Sequence, residues 1–548
     1  MTDVPVCIIG CGPIGLAGAL LLSRHGVPSL VVERRGELNQ HPRSRFVDTN
    51  TMELLREFGA DKEVEATGLG PDWTTCNRWS DTLAVEPFAQ IPSPTFLNVR
   101  RSTSPCIPAM TVQDVVEAAL FTRVTADPDI TVRFGTEAVE LAQTDDHTQI
   151  VLRDVDTGDR EEITSLFTIG ADGPGSRTRE VIGTGLEVEP RPVFMQDVMF
   201  DADLSEYVGD RKGSLLYTQP PEGVLIFQPL DGRRRWRCQI VVADEHLISE
   251  DAAMARIQAS LGTVEPVELT ITSMRMWQPT PGCVTRFSSG RIFLAGDAAH
   301  VSIPTGGLGN NTGFAGIRNL AWKLAYVVRG LAPASILETY EVEHRPLATE
   351  RIAVGVAITD HMGPMMVGHR RGVDITDHFR GTHLYGNYDH VLHGFELASD
   401  LIAPESVPPE DLSPLEPPSA GFAPCVRSGR RAPHVWVDEG EALSVLDWYG
   451  SGYVALLGPD CDRGAWADAL EAGVGGVPLT LRQLPANRDI GPYARDEVVL
   501  VRPDGIIADH WTDAGDGPDL DRLLSRLPTT NSPRSIGVAS AASNVLAR

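Results

Sequence analysis

The stretch VPVCIIGCGPIGLAGALLLSRHGVPSLVVE, residues 4–33, decides the fold of this chain. Residues 4–9 have the apolar pattern of a short buried strand, and residues 14–24 repeat apolar side chains with the period of a helix. A second strand is predicted at 29–33. The turn between the first strand and the helix carries the GxGxxG pattern. Strand, glycine turn, helix and strand in this order predict a βαβ unit that binds a dinucleotide.

The glycine turn indicates how such a unit binds its ligand. Its glycines permit a tight turn and let a pyrophosphate approach the backbone, while the helix N-terminus supplies partial positive charge. Glu33 ends the second strand, where its carboxylate can accept hydrogen bonds from a ribose diol. The candidate cofactor-binding residues of this unit are Gly10, Gly12, Pro13, Ile14, Gly15, Glu33 and Arg34.

The rest of the chain reads as an α/β protein in several parts. Two later apolar runs, 166–171 and 291–295, also end in acidic turns, which indicates that the chain leaves the first sheet and returns to it. Between these runs, alternating apolar residues and a turn at Asp231-Gly232 predict an inserted antiparallel sheet that would bind the substrate. Segment 319–354 has a helical pattern. The predicted domains are 1–180 with 281–400 for a Rossmann-type domain and its helical extension, 181–280 with part of 73–110 for the sheet domain, 401–420 for a Pro-rich linker, 421–530 for a small α/β domain and 531–548 for a disordered tail.

Composition excludes several classes of function. The formal net charge of -27 over 548 residues repels nucleic-acid phosphates and anionic lipid surfaces. The eight cysteines form no CxxC pair and no Cys/His cluster, so neither a disulfide framework nor a metal site is indicated. The apolar run 4–22 lacks a basic flank and is interrupted by glycines. We therefore expect a cytoplasmic protein with no nucleic-acid or membrane partner.

Two further motifs specify the ligand. The glycine turn at 10–15, the run GADG at 170–173 with Arg179 after it, and GDAAH at 296–300 together resemble the fingerprints of the single-component FAD-dependent aromatic hydroxylases, relatives of para-hydroxybenzoate hydroxylase. The resemblance covers about residues 1–400. It implies FAD, tightly but not covalently bound in the Rossmann-type site, with NADPH or NADH as a transient reductant.

The end of the chain carries a second resemblance. From about residue 421 it is similar to the thioredoxin-like C-terminal domain of the phenol and polyketide hydroxylase branch. The domain has no CxxC, so we expect a structural role, or a role in forming a homo-oligomer, rather than a redox role. Deletion after about residue 420 is accordingly expected to leave the flavin motifs intact while reducing solubility or changing the oligomeric state.

The resemblance assigns roles to individual residues. Asp297 would bind the ribityl hydroxyls, Pro304 would lie beside the isoalloxazine ring, and the loop 306–311 would present backbone N–H groups to its pyrimidine edge. His300 is expected to order the backbone rather than to act in catalysis. The family's Gln-Asp pair after the flavin loop is missing here, which implies a change in loop mobility or in flavin redox tuning. The remaining cofactor-binding candidates are Arg43 for the pyrophosphate, Gln113 for the ribityl or phosphate region, Asp172 for both FAD and the nicotinamide, and Val139, Gly296, Gly307, Gly309, Asn310 and Asn311.

The implied reaction is hydroxylation of an aromatic, polycyclic polyketide by O2 through a flavin C4a-hydroperoxide. No catalytic side chain is assigned, because this chemistry belongs to the cofactor. The alternatives are Baeyer–Villiger oxidation or epoxidation, for which Arg233 to Arg235 could supply cationic side chains, and a non-catalytic flavin-binding scaffold that recruits a biosynthetic partner. The candidate pocket residues are Tyr217, Phe227, Trp236 and Pro304.

Overall fold

A computed structural model gives the fold of most of the chain. Arg43 and the predicted tail 531–548 lie outside the residues it describes. Within the described part, three sheets of eight, seven and four strands form the framework. The described residues are 3–39, 44–92, 103–188, 191, 193–221, 223–242, 246–263, 265–362, 388–405, 423–471, 476–512 and 519–528.

The eight-stranded sheet brings the three sequence motifs together. Its central strands are parallel and buried, as expected for apolar strands covered on both faces. The strand ends are fixed side by side, because Ala171 N donates to Ile9 O (2.8 Å) and Ala295 N donates to Gly170 O (2.9 Å). The three motif turns therefore meet at one carboxyl edge. In spatial order the strands are Ser288–Ser289, Ile292–Leu294, Arg160–Gly170, Val4–Ile9, Ser29–Val32 and Ile130–Arg133, with Thr136–Gln143 and Thr148–Asp154 beside Arg160–Gly170.

Helices cover this sheet, and one of them corrects the sequence reading. The helix Leu308–Val328, called the core helix below, begins eleven residues before the predicted start at 319. Gly307 caps it in the left-handed conformation, so most of the predicted flavin loop is the first turn of a helix. The other described helices are Pro13–Arg24, Thr49–Glu57, Asp61–Ala66, Pro71–Thr74, Gln113–Ala126, Arg177–Val181, Ser205–Val208, Glu250–Leu261, Glu338–Met362, Tyr388–His393, Arg463–Glu471 and Leu520–Ser525, with short 3-10 turns at Gly296–Ala298, Ala334–Leu337 and Val445–Trp448.

The seven-stranded sheet is the predicted inserted sheet. Its pairings are antiparallel, with one exception: Leu216–Thr218 pairs in parallel with Cys76–Ser80. The sequence did not predict this parallel pair, whose two strands are far apart along the chain. In spatial order the strands are Leu269–Trp277, Phe194–Ala202, Arg235–Val242, Leu225–Pro229, Leu216–Thr218, Cys76–Ser80 and Ala89–Pro92. Two small sheets complete the described fold, one formed by Leu186–Val188, Gly282–Val284 and His300–Val301 and one by Phe46–Val47 and Ala109–Met110.

The C-terminal part folds around the four-stranded sheet and packs tightly on the core helix. Tyr453 meets Trp322 of that helix edge to face, with ring centroids 5.9 Å apart. Both residues belong to the same apolar core as the eight-stranded sheet. In spatial order the strands are Leu479–Gln483, Tyr453–Leu457, Glu497–Val501 and Ile507–Thr512, the first pair parallel and the others antiparallel.

A buried ionic cluster of Lys323, Glu343, Arg502 and Asp504 joins these parts. Glu343, on the helix Glu338–Met362, accepts from Lys323 Nζ at 2.8 Å and from the two terminal nitrogens of Arg502 at 2.7 and 2.9 Å. Arg502 also pairs with Asp504. Lys323, Glu343 and Arg502 are fully buried. Because the C-terminal part contributes Arg502 and Asp504 to this cluster, we expect its removal to disturb the core helix as well.

Among the described residues, no helix is both long enough and apolar enough to cross a membrane.

Candidate active site

A cavity of about 1380 Å³ runs from the glycine turn to the seven-stranded sheet. All three motif turns contribute to its wall, and so does the N-terminus of the core helix. The predicted cofactor residues that line it are Gly10, Gly12, Pro13, Ile14, Glu33, Arg34, Gln113, Asp172, Gly296, Asp297, Pro304, Gly307, Gly309 and Asn310.

The nucleotide end of the cavity is the N-terminus of the helix Pro13–Arg24. Among the described residues no side chain caps this helix, and a Cβ at Gly12 would meet nothing within 4 Å, so the space beside Gly12 is open. Gly15 sits so close to the turn that a Cβ there would lie 2.0 Å from Gly10 O. Glu33 accepts from the backbone N of Cys11 at 3.1 Å, which holds its carboxylate against the turn. An uncapped helix end behind a tight turn fits a bound pyrophosphate.

Gln113 borders the cavity at the start of its own helix. Its side-chain Oε1 accepts from Ser44 N at 3.2 Å, and its Nε2 donates to Glu117 Oε1 at 2.6 Å. Burial raises the pKa of Glu117 to about 7, although the hydrogen bond from Gln113 opposes that rise. Sequence reasoning missed Glu117, which lies one helical turn after Gln113 and also lines the cavity.

The acidic motif residues have different surroundings. Asp172 lines the cavity, but its carboxylate accepts from Ser176 Oγ (2.5 Å) and from the backbone N of Thr178 (3.0 Å), so it supports the first turn of the helix Arg177–Val181, whose N-cap is Ser176. Asp297 lies in the 3-10 turn that follows the last central strand. Arg179 joins the two motifs by donating to Ala298 O at 3.2 Å.

The N-terminus of the core helix forms a second uncapped helix end at the cavity. Its first turn contains no acidic residue, and Gly307, Gly309 and Asn310 line the cavity. Free N–H groups at this end can hydrogen-bond an electron-rich ring edge. The prediction that Asn311 binds the cofactor is corrected, because Asn311 does not line the cavity. Its Oδ1 accepts from Asp48 N at 3.1 Å.

Val139 and Gly15 are the other candidates that do not reach the cavity wall. Val139 is buried in its strand, and Gly15 lies behind the turn that it makes possible. The segment 313–318, where the family's Gln-Asp pair is missing, lies inside the core helix rather than in its first turn. Arg318 of this segment pairs with Glu57 at 3.0 Å.

His300 is buried behind the cavity, as expected for a structural residue. Its Nε2 lies 3.3 Å from His344 Nε2. Burial and, to a smaller extent, the nearby Arg351 cation together lower the pKa of His300 to about 4. The imidazole therefore stays neutral at physiological pH.

The seven-stranded sheet forms the floor of the cavity with one of its two faces. Gln228 and Arg237 lie on the cavity face. Phe227 and Trp236, each one residue away along its strand, point to the apolar cluster under the sheet and are 0% and 2% exposed. The prediction that Phe227 and Trp236 line the pocket is therefore wrong, because successive side chains of a strand point to opposite faces.

Tyr217 and Pro304 do line the cavity. Tyr217 stacks on Trp79 with ring centroids 4.4 Å apart and planes 4° from parallel. Pro304 begins the turn that leads into the core helix, since its carbonyl accepts from Gly307 N at 3.0 Å. These residues give the cavity an aromatic and apolar wall between the floor and the core helix.

A polar strip crosses the floor, and the sequence reading missed it. Gln228 Nε2 donates to Gln239 Oε1 at 2.7 Å, and Gln239 Nε2 donates to Asp197 Oδ1 at 3.0 Å. Arg237 forms an ion pair with the other oxygen of Asp197. Arg45 completes the polar strip, which is defined by these five residues. The sequence feature that could have revealed the strip is the polar side chain at every second position of otherwise apolar strands.

The arginines of the hairpin lie elsewhere. Arg233 and Arg234 are exposed, and Arg235 pairs with Asp114 at 2.8 Å. The arginines that line the floor end of the cavity are therefore Arg237 and Arg275 of the strands, with Arg45 beside them, and not those of the hairpin turn.

Comparison with known proteins identifies the family. A family model described as an FAD binding domain matches residues 3–353, and one described as the C-terminal part of aromatic-ring hydroxylases matches residues 426–529. The chain belongs to the FAD-dependent aromatic-ring hydroxylases. Aklavinone 12-hydroxylase of Streptomyces purpurascens is 32% identical to this chain over 529 residues, covering 92% of this chain and 95% of the relative. Tetracenomycin B2 monooxygenase-dioxygenase of Streptomyces olivaceus is 28% identical, and the match covers 96% of this chain and 98% of the relative.

Solved structures agree with this membership. The flavin-dependent monooxygenase PieE, solved with FAD and substrate, has a TM-score of 0.85 at 28% identity, covering 96% of the hydroxylase and 99% of PieE. Aklavinone-11 hydroxylase, solved with FAD and aklavinone, has a TM-score of 0.82 at 29% identity, covering 96% and 99%. The predicted fold class, the FAD cofactor and the assignment as a flavoprotein monooxygenase are confirmed. The hydroxylase is therefore an enzyme rather than a flavin-binding scaffold.

Proposed function

We propose that the hydroxylase adds a hydroxyl group to the ring of a polycyclic aromatic polyketide, with NADPH or NADH as reductant and O2 as the oxygen source. The observation that carries this proposal is the single continuous cavity between the glycine turn and the seven-stranded sheet. The names of the aklavinone and tetracenomycin relatives support the substrate class.

The size of the cavity favours a large substrate. Sites for one small molecule occupy about 300–1000 Å³. At about 1380 Å³, this cavity exceeds that range and has room for an extended cofactor and for a second molecule over the floor. A single phenol would leave much of the floor uncovered.

The cofactor end would be held by the residues already described. The uncapped helix behind Gly12 would bind the pyrophosphate, Glu33 the ribose, and Asp297 with Gln113 the ribityl chain. The N-terminus of the core helix would hold the pyrimidine edge of the ring. FAD held by these residues would supply the redox chemistry, namely hydride acceptance from the nicotinamide and activation of O2 for transfer of one oxygen atom.

The side chains of the cavity wall would position the substrate, and Glu117 is a lining residue whose pKa lies near neutrality. Of the described residues that line the cavity, none is histidine or lysine. Apolar side chains such as Met195 and Trp277 exclude water, and the polar strip orients the substrate.

One observation favours a second reaction. Arg45 places a cation on the cavity wall, and a cation can stabilise the anionic oxygen species that inserts next to a carbonyl in Baeyer–Villiger chemistry. The purified enzyme with NADPH and a polycyclic hydroxyquinone separates the two reactions by product mass and connectivity. We expect substrate-stimulated, O2-dependent oxidation of the nicotinamide and a product with one additional ring hydroxyl. An ester or lactone would establish the second reaction instead.

A further inference from the structure

Arg45 enters the cavity from the segment next to the cofactor end. The preceding residue, Ser44, is held to the helix Gln113–Ala126 by hydrogen bonds in both directions with Gln113. The following residue, Phe46, pairs with Met110 in a short two-stranded sheet. Both neighbours fix the backbone at Arg45, and its side chain reaches the carbonyls of Pro229 and Ser214 at the floor.

Two backbone carbonyls hold the guanidinium in place. Nη1 donates to Pro229 O and Nη2 donates to Ser214 O, each at 2.7 Å. Both carbonyls belong to the seven-stranded sheet, at the end of the strand Leu225–Pro229 and just before the strand Leu216–Thr218. The carbonyls fix the orientation of the group but leave its positive charge uncompensated.

No carboxylate of the described residues forms an ion pair with Arg45. Arg237 acts on Arg45 by repulsion, and its own charge is balanced by Asp197. Tyr217 is the other titratable neighbour that acts on Arg45. Burial lowers the pKa of Arg45 to about 9, so the group remains a cation at neutral pH. A guanidinium on a partly buried wall without a counter-ion is costly unless a ligand supplies the anion.

The floor around Arg45 is divided by polarity. The polar strip lies on its side of the floor, while Met195, Val224, Val241 and Trp277 form an apolar strip along the neighbouring row of the same face. A flat molecule with one oxygenated edge and one hydrocarbon edge fits this division. Its oxygenated edge would lie toward Arg45.

We propose that Arg45 binds an ionised oxygen of the substrate, a phenolate or the enolate of a hydroxyquinone, and so sets which edge of the ring system faces the polar strip. This inference rests on the proposed function. Arg45 is accordingly a specificity-determining residue. A phosphate of the nicotinamide is the competing anion, and the experiment separates the two.

The test uses the FAD-loaded enzyme and two probes, 2-hydroxyanthraquinone and 2-methoxyanthraquinone. Ionisation of the hydroxy probe moves its visible absorption to longer wavelength, and the methoxy probe cannot ionise. We expect the wild-type enzyme to bind the hydroxy probe with the spectrum of the ionised form at a pH where the free probe is neutral. Arg45→Met should remove that spectrum and weaken binding of the hydroxy probe by about 10- to 100-fold, with little change in binding of the methoxy probe.

The controls keep the outcome unambiguous. Arg235→Met removes an arginine of the same sheet that lies outside the cavity, and should leave both probes unaffected. Arg45→Lys keeps the charge and should retain the ionised spectrum. If Arg45→Met does not load FAD, Arg45→Gln serves as the neutral variant, since its amide can still donate to a carbonyl.

Four results overturn the proposal. In the first, the ionised spectrum persists in the neutral variant. In the second, the binding of both probes weakens equally, which would give Arg45 a structural role only. The neutral variant changes only the NADPH concentration needed for flavin reduction, which would assign Arg45 to the nicotinamide phosphate. If the wild-type enzyme binds neither probe, the proposed substrate class fails first, and the inference fails with it.

Discussion

Glu343→Gln tests whether the buried ionic cluster locks the C-terminal part to the core helix. The substitution keeps the shape of the side chain but removes the charge that Lys323 and Arg502 share. Both cations are fully buried, at 2.7 to 2.9 Å from the Glu343 oxygens. Removing one partner from a buried ion pair costs about 3–5 kcal/mol, because the remaining charge is uncompensated. Asp504 still balances Arg502, so the lower half of that range is expected, about 3–4 kcal/mol.

The assay is urea unfolding of the FAD-loaded enzyme, followed by flavin fluorescence and by far-ultraviolet circular dichroism. Glu343→Gln should lower the midpoint of the transition that releases FAD, because the core helix carries both the cluster and the cavity wall. The matched control is Glu338→Gln, an exposed position in the first turn of the same helix, which should change stability by less than about 1 kcal/mol.

A double-substitution cycle supplies the decisive comparison. Lys323→Met added to Glu343→Gln removes the stranded cation, so the double variant should be more stable than Glu343→Gln alone. Equal midpoints for wild type and Glu343→Gln, or a double variant that is less stable than the sum of the two single changes, would refute the reasoning.

Three other outcomes are expected. Asp297→Ala should weaken FAD binding by about 1.5–3 kcal/mol, measured by fluorescence titration of the apoprotein, and Glu33→Ala should weaken it less; unchanged affinity in a folded Asp297→Ala protein would remove this residue from the site. Deletion of the chain after residue 422 should yield an insoluble protein or one that does not bind FAD, since it exposes the shared apolar core and removes Arg502 from Glu343; a soluble truncation with normal flavin reduction would contradict the packing described. Glu117→Gln should change the pH dependence of stability. Folding raises the pKa of this carboxyl from 4.5 to about 7, so its stabilising contribution is complete below pH 4.5 and is lost as pH rises to 7. Wild type should therefore lose about 3 kcal/mol relative to Glu117→Gln over that window in urea unfolding, and a difference that does not vary with pH would disprove the assignment.

The sequence predicted the features that depend on neighbouring residues. The strand Val4–Ile9, the glycine turn and the helix Pro13–Arg24 follow from local periodicity and from backbone geometry that glycine alone tolerates well. The return of the chain to the same sheet was also predictable, because each motif ends a buried strand in the same way.

The features that depend on tertiary packing were not predictable. Alternation showed that Trp236 and Arg237 lie on opposite faces of a strand, but not which face borders the cavity. Nothing in the sequence indicates that Lys323 and Arg502 are buried, since a sequence does not show the partners that allow their burial. No sequence pattern marks Arg45, because the orientation of its side chain depends on two carbonyls more than 150 residues away.

The fate of the oxygen atoms tests the central claim most directly. The FAD-loaded enzyme is given NADPH, a polycyclic hydroxyquinone and isotopically labelled dioxygen, and the product is analysed by mass spectrometry and nuclear magnetic resonance. We predict one labelled oxygen atom on a ring carbon, an unbroken carbon skeleton and one nicotinamide oxidised for each product formed. A product oxygen derived from water, or oxidation of the nicotinamide that yields no oxygenated product with any such substrate, would contradict the account.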